Sequence, residues 1–221
     1  MNIKLLYRIL IYILGLFILA LGVVFSINSR LGVSPVNSLP YIISVILHAD
    51  LSVCVVSVFS FYILLQIIIL KKDFKWINLF QLAFSLIFGY LVDLSKLIIG
   101  NFTIPTYFGQ LTMLFISIAL ITVGISLYIN VELIPMAMEG LCLSITRKQK
   151  RFTFPTIKIF VDCAAVTLGI LLSFIFLHKL DGIREGTIIS ALLIGFLLKY
   201  VNIFVKHALS RMNIYTAKQT T

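Results

Sequence analysis

The chain has 221 residues, 61% of them apolar and 12% charged, with a mean hydropathy of +1.12. A soluble core of this size cannot hide so much apolar surface, so lipid must be the solvent. The net charge of +10 would suit nucleic acid only if Lys and Arg gathered on one exposed face. They stand instead between apolar runs, where they act as topology signals and as contacts for anionic headgroups of the bilayer.

The first apolar run, 5–27, follows Lys4 and Arg8 and is long enough to cross a bilayer core. Ala20-Leu21-Gly22 loosely resembles a signal-cleavage site, yet the run continues to Ile27, which predicts an uncleaved first span. Gly15 and Gly22, seven apart, share one face of it and suit close helix packing. Next comes a short apolar stretch, predicted as a helix over 34–48, with Ser34 as its cap and Pro35 at its first position. Two further spans are predicted at 53–70 and 77–99. The second half repeats this order, with spans at 108–129, 157–177 and 186–205 and a short helix over 134–146 that opens on Ile134-Pro135.

Basic clusters set the orientation, because cytoplasmic loops carry the excess of Lys and Arg. Lys4 with Arg8, the stretch from Lys71 to Lys75, the stretch from Arg147 to Arg151, and Lys206, Arg211 and Lys218 in the tail all fall on one side if the chain crosses six times. Both termini are then cytoplasmic. Counting the short segments as spans gives eight crossings and places Lys71 to Lys75 outside, so that alternative ranks behind. The compact, Ile- and Lys-rich chain reads as bacterial and as one multi-pass domain of the cytoplasmic membrane over 1–221. In that setting the glycosylation-type triplet Asn101-Phe102-Thr103 is idle.

The chain also resembles itself. Gly22-Val23-Val24-Phe25-Ser26-Ile27-Asn28 matches Gly124-Ile125-Ser126-Leu127-Tyr128-Ile129-Asn130 at an offset of 124 − 22 = 102, and Leu86 to Leu91 matches Leu192 to Leu197 at 195 − 89 = 106. Each half, 5–100 and 108–206, holds three spans. An odd number forces the copies to cross in opposite directions, giving an all-α fold of two inverted three-helix repeats, each with a short broken or re-entrant helix. Such helices present unpaired N–H groups and partial positive charge at their N-terminal ends. The competing reading is a helix lying flat on each surface.

Ionisable groups inside spans are costly and mark candidate sites. Glu139 sits one turn inside the second short helix, and its repeat partner is Asn37. Lys158 and Asp162, four apart, share a helical face and can pair, although Lys158 could instead snorkel to the inner surface. The predicted substrate pathway is therefore Ser34, Asn37, Glu139 and Asp162. Asn28, Asn130, Asp93, Lys158 and Lys199 are secondary candidates, and Pro35 and Pro135 mark the helix breaks. Cys54, Cys142 and Cys163 lack metal-type spacing and read as small buried residues, and His48, His178 and His207 do not cluster, so no metal or cofactor is expected.

Gly32-Val33-Ser34-Pro35, the later Pro135 with Ala137, Glu139, Gly140 and Leu141, and the stretch from Gly186-Thr187 to Gly195 together resemble the YczE/YyaS/YitT family of bacterial membrane proteins. The resemblance covers nearly the whole chain. It departs at Asn37, where relatives often carry Asp, and at Phe196, where they often carry Pro. What it implies is a poorly characterised membrane protein described as a transporter, with no substrate attached. The sequence thus leads to a small transporter or permease for an unknown small solute or ion, with a pathway between the repeats. A non-transporting regulatory or substrate-binding subunit, associated with a membrane partner or with its own copies, is the alternative. A lipid-acting enzyme is the weakest reading, since no nucleophile and base stand together.

Overall fold

The computed structural model describes residues 3–211, and every element among them is helical. The helices are α1 (Ile3–Ser29), α2 (Pro35–Leu47), α3 (Leu51–Leu70), α4 (Gln81–Ile99), α5 (Tyr107–Asn130), α6 (Ala137–Gln149), α7 (Phe154–Leu172) and α8 (Glu185–Arg211). Short 3-10 turns lie between α3 and α4, and a π turn, Ser173–Leu177, extends α7. Six helical stretches are long and apolar enough to cross a membrane: Lys4–Ser29, Leu51–Asp73, Trp76–Ile99, Tyr107–Asn130, Phe154–Leu177 and Glu185–Arg211. The predicted Lys218 lies outside the described residues.

The centre of the bundle is the crossing of α1 with α5. A Cβ on Gly22 would lie 2.8 Å from the Ile121 side chain, and one on Gly124 would lie 2.7 Å from the Leu19 backbone nitrogen. Glycine on both helices brings the backbones together, which is how helices gain dispersion contact where lipid supplies no hydrophobic drive. Numbers rise on α1 as they fall on α5, so the two run antiparallel. At one end the Arg8 guanidinium donates to the carbonyls of Val131 and Glu132, just past the end of α5. Side chains facing this crossing, such as Leu16, Ile118, Ile125 and Tyr128, are buried and form the core.

Around this pair the remaining helices take corresponding places. α4 packs beside α1 and α8 beside α5. Each short helix lies against a long helix of the other half, α2 on α7 and α6 on α3. Asn28 near the end of α1 donates to Gly100 O past the end of α4, while Asn130 at the end of α5 donates to the Asn202 side chain on α8. The pairing is broken at one place: α7 lies along α8, but α3 scarcely touches α4.

The second short helix departs from its expected boundaries. It begins at Ala137, two residues after Pro135, and continues through the basic Arg147 and Lys148 to Gln149. Pro135 therefore precedes the helix instead of opening it. Met136, in extended conformation, takes the cap position and supplies no side-chain acceptor. In α2 Pro35 does occupy the first turn, as expected, but the Ser34 hydroxyl makes no capping bond. Both short helices pack into the bundle: Ser38, Leu39, Pro40 and Ile42 of α2, and the run from Ala137 to Cys142 of α6, are buried among other helices.

Candidate functional site

A cavity of about 560 Å³ opens inside the bundle, a volume within the range of small-molecule sites. Its walls come from α1 (Leu19, Val23, Ile27), from Leu51, Val56 and Phe59 of α3, and from a long strip of α4 that includes Leu86, Gly89 and Asp93. Ile121 and Ile125 of α5 and Ile194 of α8 close the back. Ser34, Pro35 and Asn37 at the start of α2 meet Met136 and Glu139 at the start of α6 across this one space, with Lys158 and Asp162 of α7 beside them.

The last three charged residues form a buried triad. Lys158 Nζ lies 2.6 Å from Asp162 Oδ1 and 3.5 Å from Glu139 Oε1, and none of the three side chains is more than 3% exposed. Helix geometry explains the first contact, since residues four apart on α7 stack on one face. The second arises because α6 enters the bundle beside α7. Asp162 is 162 − 154 = 8 residues into α7, or about 12 Å along its axis, and so it lies well inside the span. Lys158 is 1% exposed and does not snorkel to a surface. Glu139 is 2% exposed and does not face the basic loop that follows α6.

Asp162 Oδ2 is buried without a hydrogen-bond partner, as is the hydroxyl of Tyr62, while the buried Tyr128 hydroxyl lies against the Glu139 carboxylate. Glu139 is the third residue of α6, on the turn where the helix presents unpaired backbone N–H groups and partial positive charge. Buried carboxylates with open acceptor positions are costly unless something meets them. This is the chemical character of the cavity: apolar walls with a polar, net negative corner.

A second polar contact sits next to it. Gln66 of α3 and Gln81 of α4 exchange side-chain amide bonds of 2.9 and 3.1 Å, and Gln66 also donates to Ala137 O at the start of α6. Both glutamines are fully buried. Gly140 makes room for them, since a Cβ there would lie 2.7 Å from Gln81 Nε2. Neither glutamine carries a charge, so the pair is not marked among the ionisable groups of the sequence. Two amides, each in an otherwise apolar run on either side of one loop, were the available signal.

Of the predicted residues, Ser34, Asn37, Glu139 and Asp162 come together on the cavity, as do Lys158 and Pro35, with Asp93 on the exposed α4 side of its wall. Asn28 and Asn130 are not on the cavity wall and serve as the helix ties described above. Lys199 is exposed, with its ammonium 5.9 Å from the Tyr200 ring centre. Pro135 stands in the connection ahead of the site. Among the described residues no group of three His, Cys, Asp or Glu side chains is placed to hold a metal ion.

The chain belongs to DUF6198, a family of unknown function, which matches residues 6–203. The match makes no link to the YczE/YyaS/YitT proteins. No curated protein and no solved structure matches the chain.

Proposed function

From membership of a family without an assigned activity, we propose that this chain is a small transporter or permease for a small molecule or ion, built as two inverted three-helix repeats with its substrate path between them. The observation that carries this reading is the convergence of both short helices on one cavity, with Asn37 and Glu139, equivalent under the repeat, both on its wall. Inverted repeats with broken helices meeting at midspan are a recurrent plan for carriers. The antiparallel crossing of α1 and α5 and the matched ties of Asn28 and Asn130 support the repeat itself. Motion of α4 against α3, the loosely packed seam, would expose and cover the site. Such work needs no bond cleavage, and the reading is of a non-enzymatic carrier in a bacterial cytoplasmic membrane with both termini inside, as the placement of Lys and Arg suggests.

The test is flux in proteoliposomes, following protons with an internal pH dye and a panel of small solutes by uptake. Wild type is expected to carry at least one of them, and Glu139→Gln to reduce that flux at least tenfold. Flux that is unaltered in the variant removes Glu139 from the mechanism. A second reading, a non-transporting subunit of a larger complex, draws on α4, whose apolar window is only 6% buried against 56% for α5. Stable co-purification of a membrane partner, lost on polar substitution along the outer face of α4, would favour it.

A further inference from the structure

We propose that the cavity binds an amphipathic organic molecule with a single positive charge, which enters sideways from the bilayer between α3 and α4 and sets its charged head against Glu139 and Asp162. The proposal rests on the transport reading for the use of the cavity and adds the class of molecule that fills it.

Charge arithmetic selects the sign. Two carboxylates and one ammonium leave 1 − 2 = −1 in a buried corner. An uncompensated charge there is expensive, and Asp162 Oδ2, buried without a partner, is where compensation is missing. The start of α6 adds roughly half a positive charge, but Glu139 stands on that very turn and holds it. The start of α2 adds little near Asn37, because Pro35 carries no N–H and the Asn37 N–H is already bonded to Ser34 O, so the corner stays negative. An anion would meet two carboxylates at once, and a neutral molecule would leave the charge unanswered. A bare metal ion would need several oxygens to replace its water, whereas the rest of the wall is largely Leu, Val, Ile and Phe. An organic cation with an apolar body fits both halves of the surface.

The route follows from the seam. Val56, Leu86 and Gly89 line the cavity and are also exposed on the outside of membrane-spanning helices, so the opening faces lipid chains. A Cβ built on Gly89 meets nothing within 4 Å. A molecule already dissolved in the bilayer reaches the cavity there without crossing water, its apolar body lying along α3 and α4.

The experiment uses the full chain in lipid nanodiscs, with binding of radiolabelled decyltrimethylammonium measured over empty discs and in competition with decanol and decyl sulfate. Saturable binding is expected, with both competitors at least tenfold weaker than unlabelled decyltrimethylammonium. Glu139→Gln should weaken binding at least tenfold. Gly89→Trp places its ring in the open space at the cavity wall and can be tested even where Glu139→Gln fails to fold. It should slow association and dissociation together at least tenfold, whereas a loss of affinity with unchanged association would mean that the ring fills the site and would overturn the route. Equal competition by decanol or decyl sulfate overturns the charge assignment, and an unchanged rate in Gly89→Trp overturns lateral entry. Glu139-dependent flux of some other solute without decyltrimethylammonium binding would sink this inference and leave the transport reading standing. Specific binding without any flux would do the reverse.

Discussion

α8 lies along α7 with Gly195 buried between them, where an added Cβ would sit 2.3 Å from the Ile159 side chain and 3.0 Å from Pro155 O. α4 packs beside α1 as α8 does beside α5, yet its Gly89, which aligns with Gly195 at the offset of 106, faces open space. On α3 the stretch 51–56, which corresponds to the part of α7 holding Gly195, lines the cavity instead. One seam is sealed by close backbone approach, and the other is held at its foot by Gln66 with Gln81, while Asn28 ties the far end of α4 to α1. The same helical plan can therefore pack closely or stand open, depending on whether side chains reach across the seam. The buried charged residues of the cavity, Glu139, Lys158 and Asp162, come from the second half, and Asp93 is the charged wall residue that stands on α4.

Four measurements would break or sharpen this comparison. The largest effect is expected for Lys158→Met, which strands two buried carboxylates beside the sealed seam and should cost about 3–5 kcal/mol, read as a large fall in thermal stability in detergent; a small change would mean the triad is not buried as described. Next, Gly195→Leu overpacks the α7–α8 contact at about 1–3 kcal/mol, while Gly89→Leu should change stability by no more than about 0.5 kcal/mol. Equal effects of the two leucines would abolish the distinction between the seams. Third, Gln66→Leu leaves the Gln81 amide without its buried partner, at about 1–3 kcal/mol, and the double change with Gln81→Leu should cost less than the sum of the singles. Additive losses would show that the amides do not tie α3 to α4. Smallest are Asn28→Ala and Asn130→Ala, each about 0.5–1.5 kcal/mol, and of these only Asn28→Ala is expected to loosen α4, read as faster proteolysis of its flanking loops.

Much of this was legible because each span can be judged on its own residues. Length and hydropathy locate six crossings without reference to any neighbour, and the four-residue spacing of Lys158 and Asp162 already put them on one face. The short helix at 134–146 was read from its proline, and its true start at Ala137 was missed because Pro135 stops extension backwards without specifying where the first helical turn begins. Gln66 and Gln81 went unread because an amide in an apolar run carries no charge to attract attention, and its partner is identified only when two helices are brought side by side. Gly89 and Gly195 are alike in their flanking residues, and nothing in either segment says that one is packed and the other bare.

By itself, then, the sequence determined the solvent, the six apolar helices, the two short helices and the polar residues worth watching. These follow from local hydropathy, periodicity and charge. The tertiary structure alone decided that Glu139 joins Lys158 and Asp162, that both short helices open on one cavity, and that α4 stands off from α3 while α8 rests on α7. Each of these depends on contacts between segments tens of residues apart in the chain, where the free energy of packing belongs to the pair of surfaces and to neither one alone.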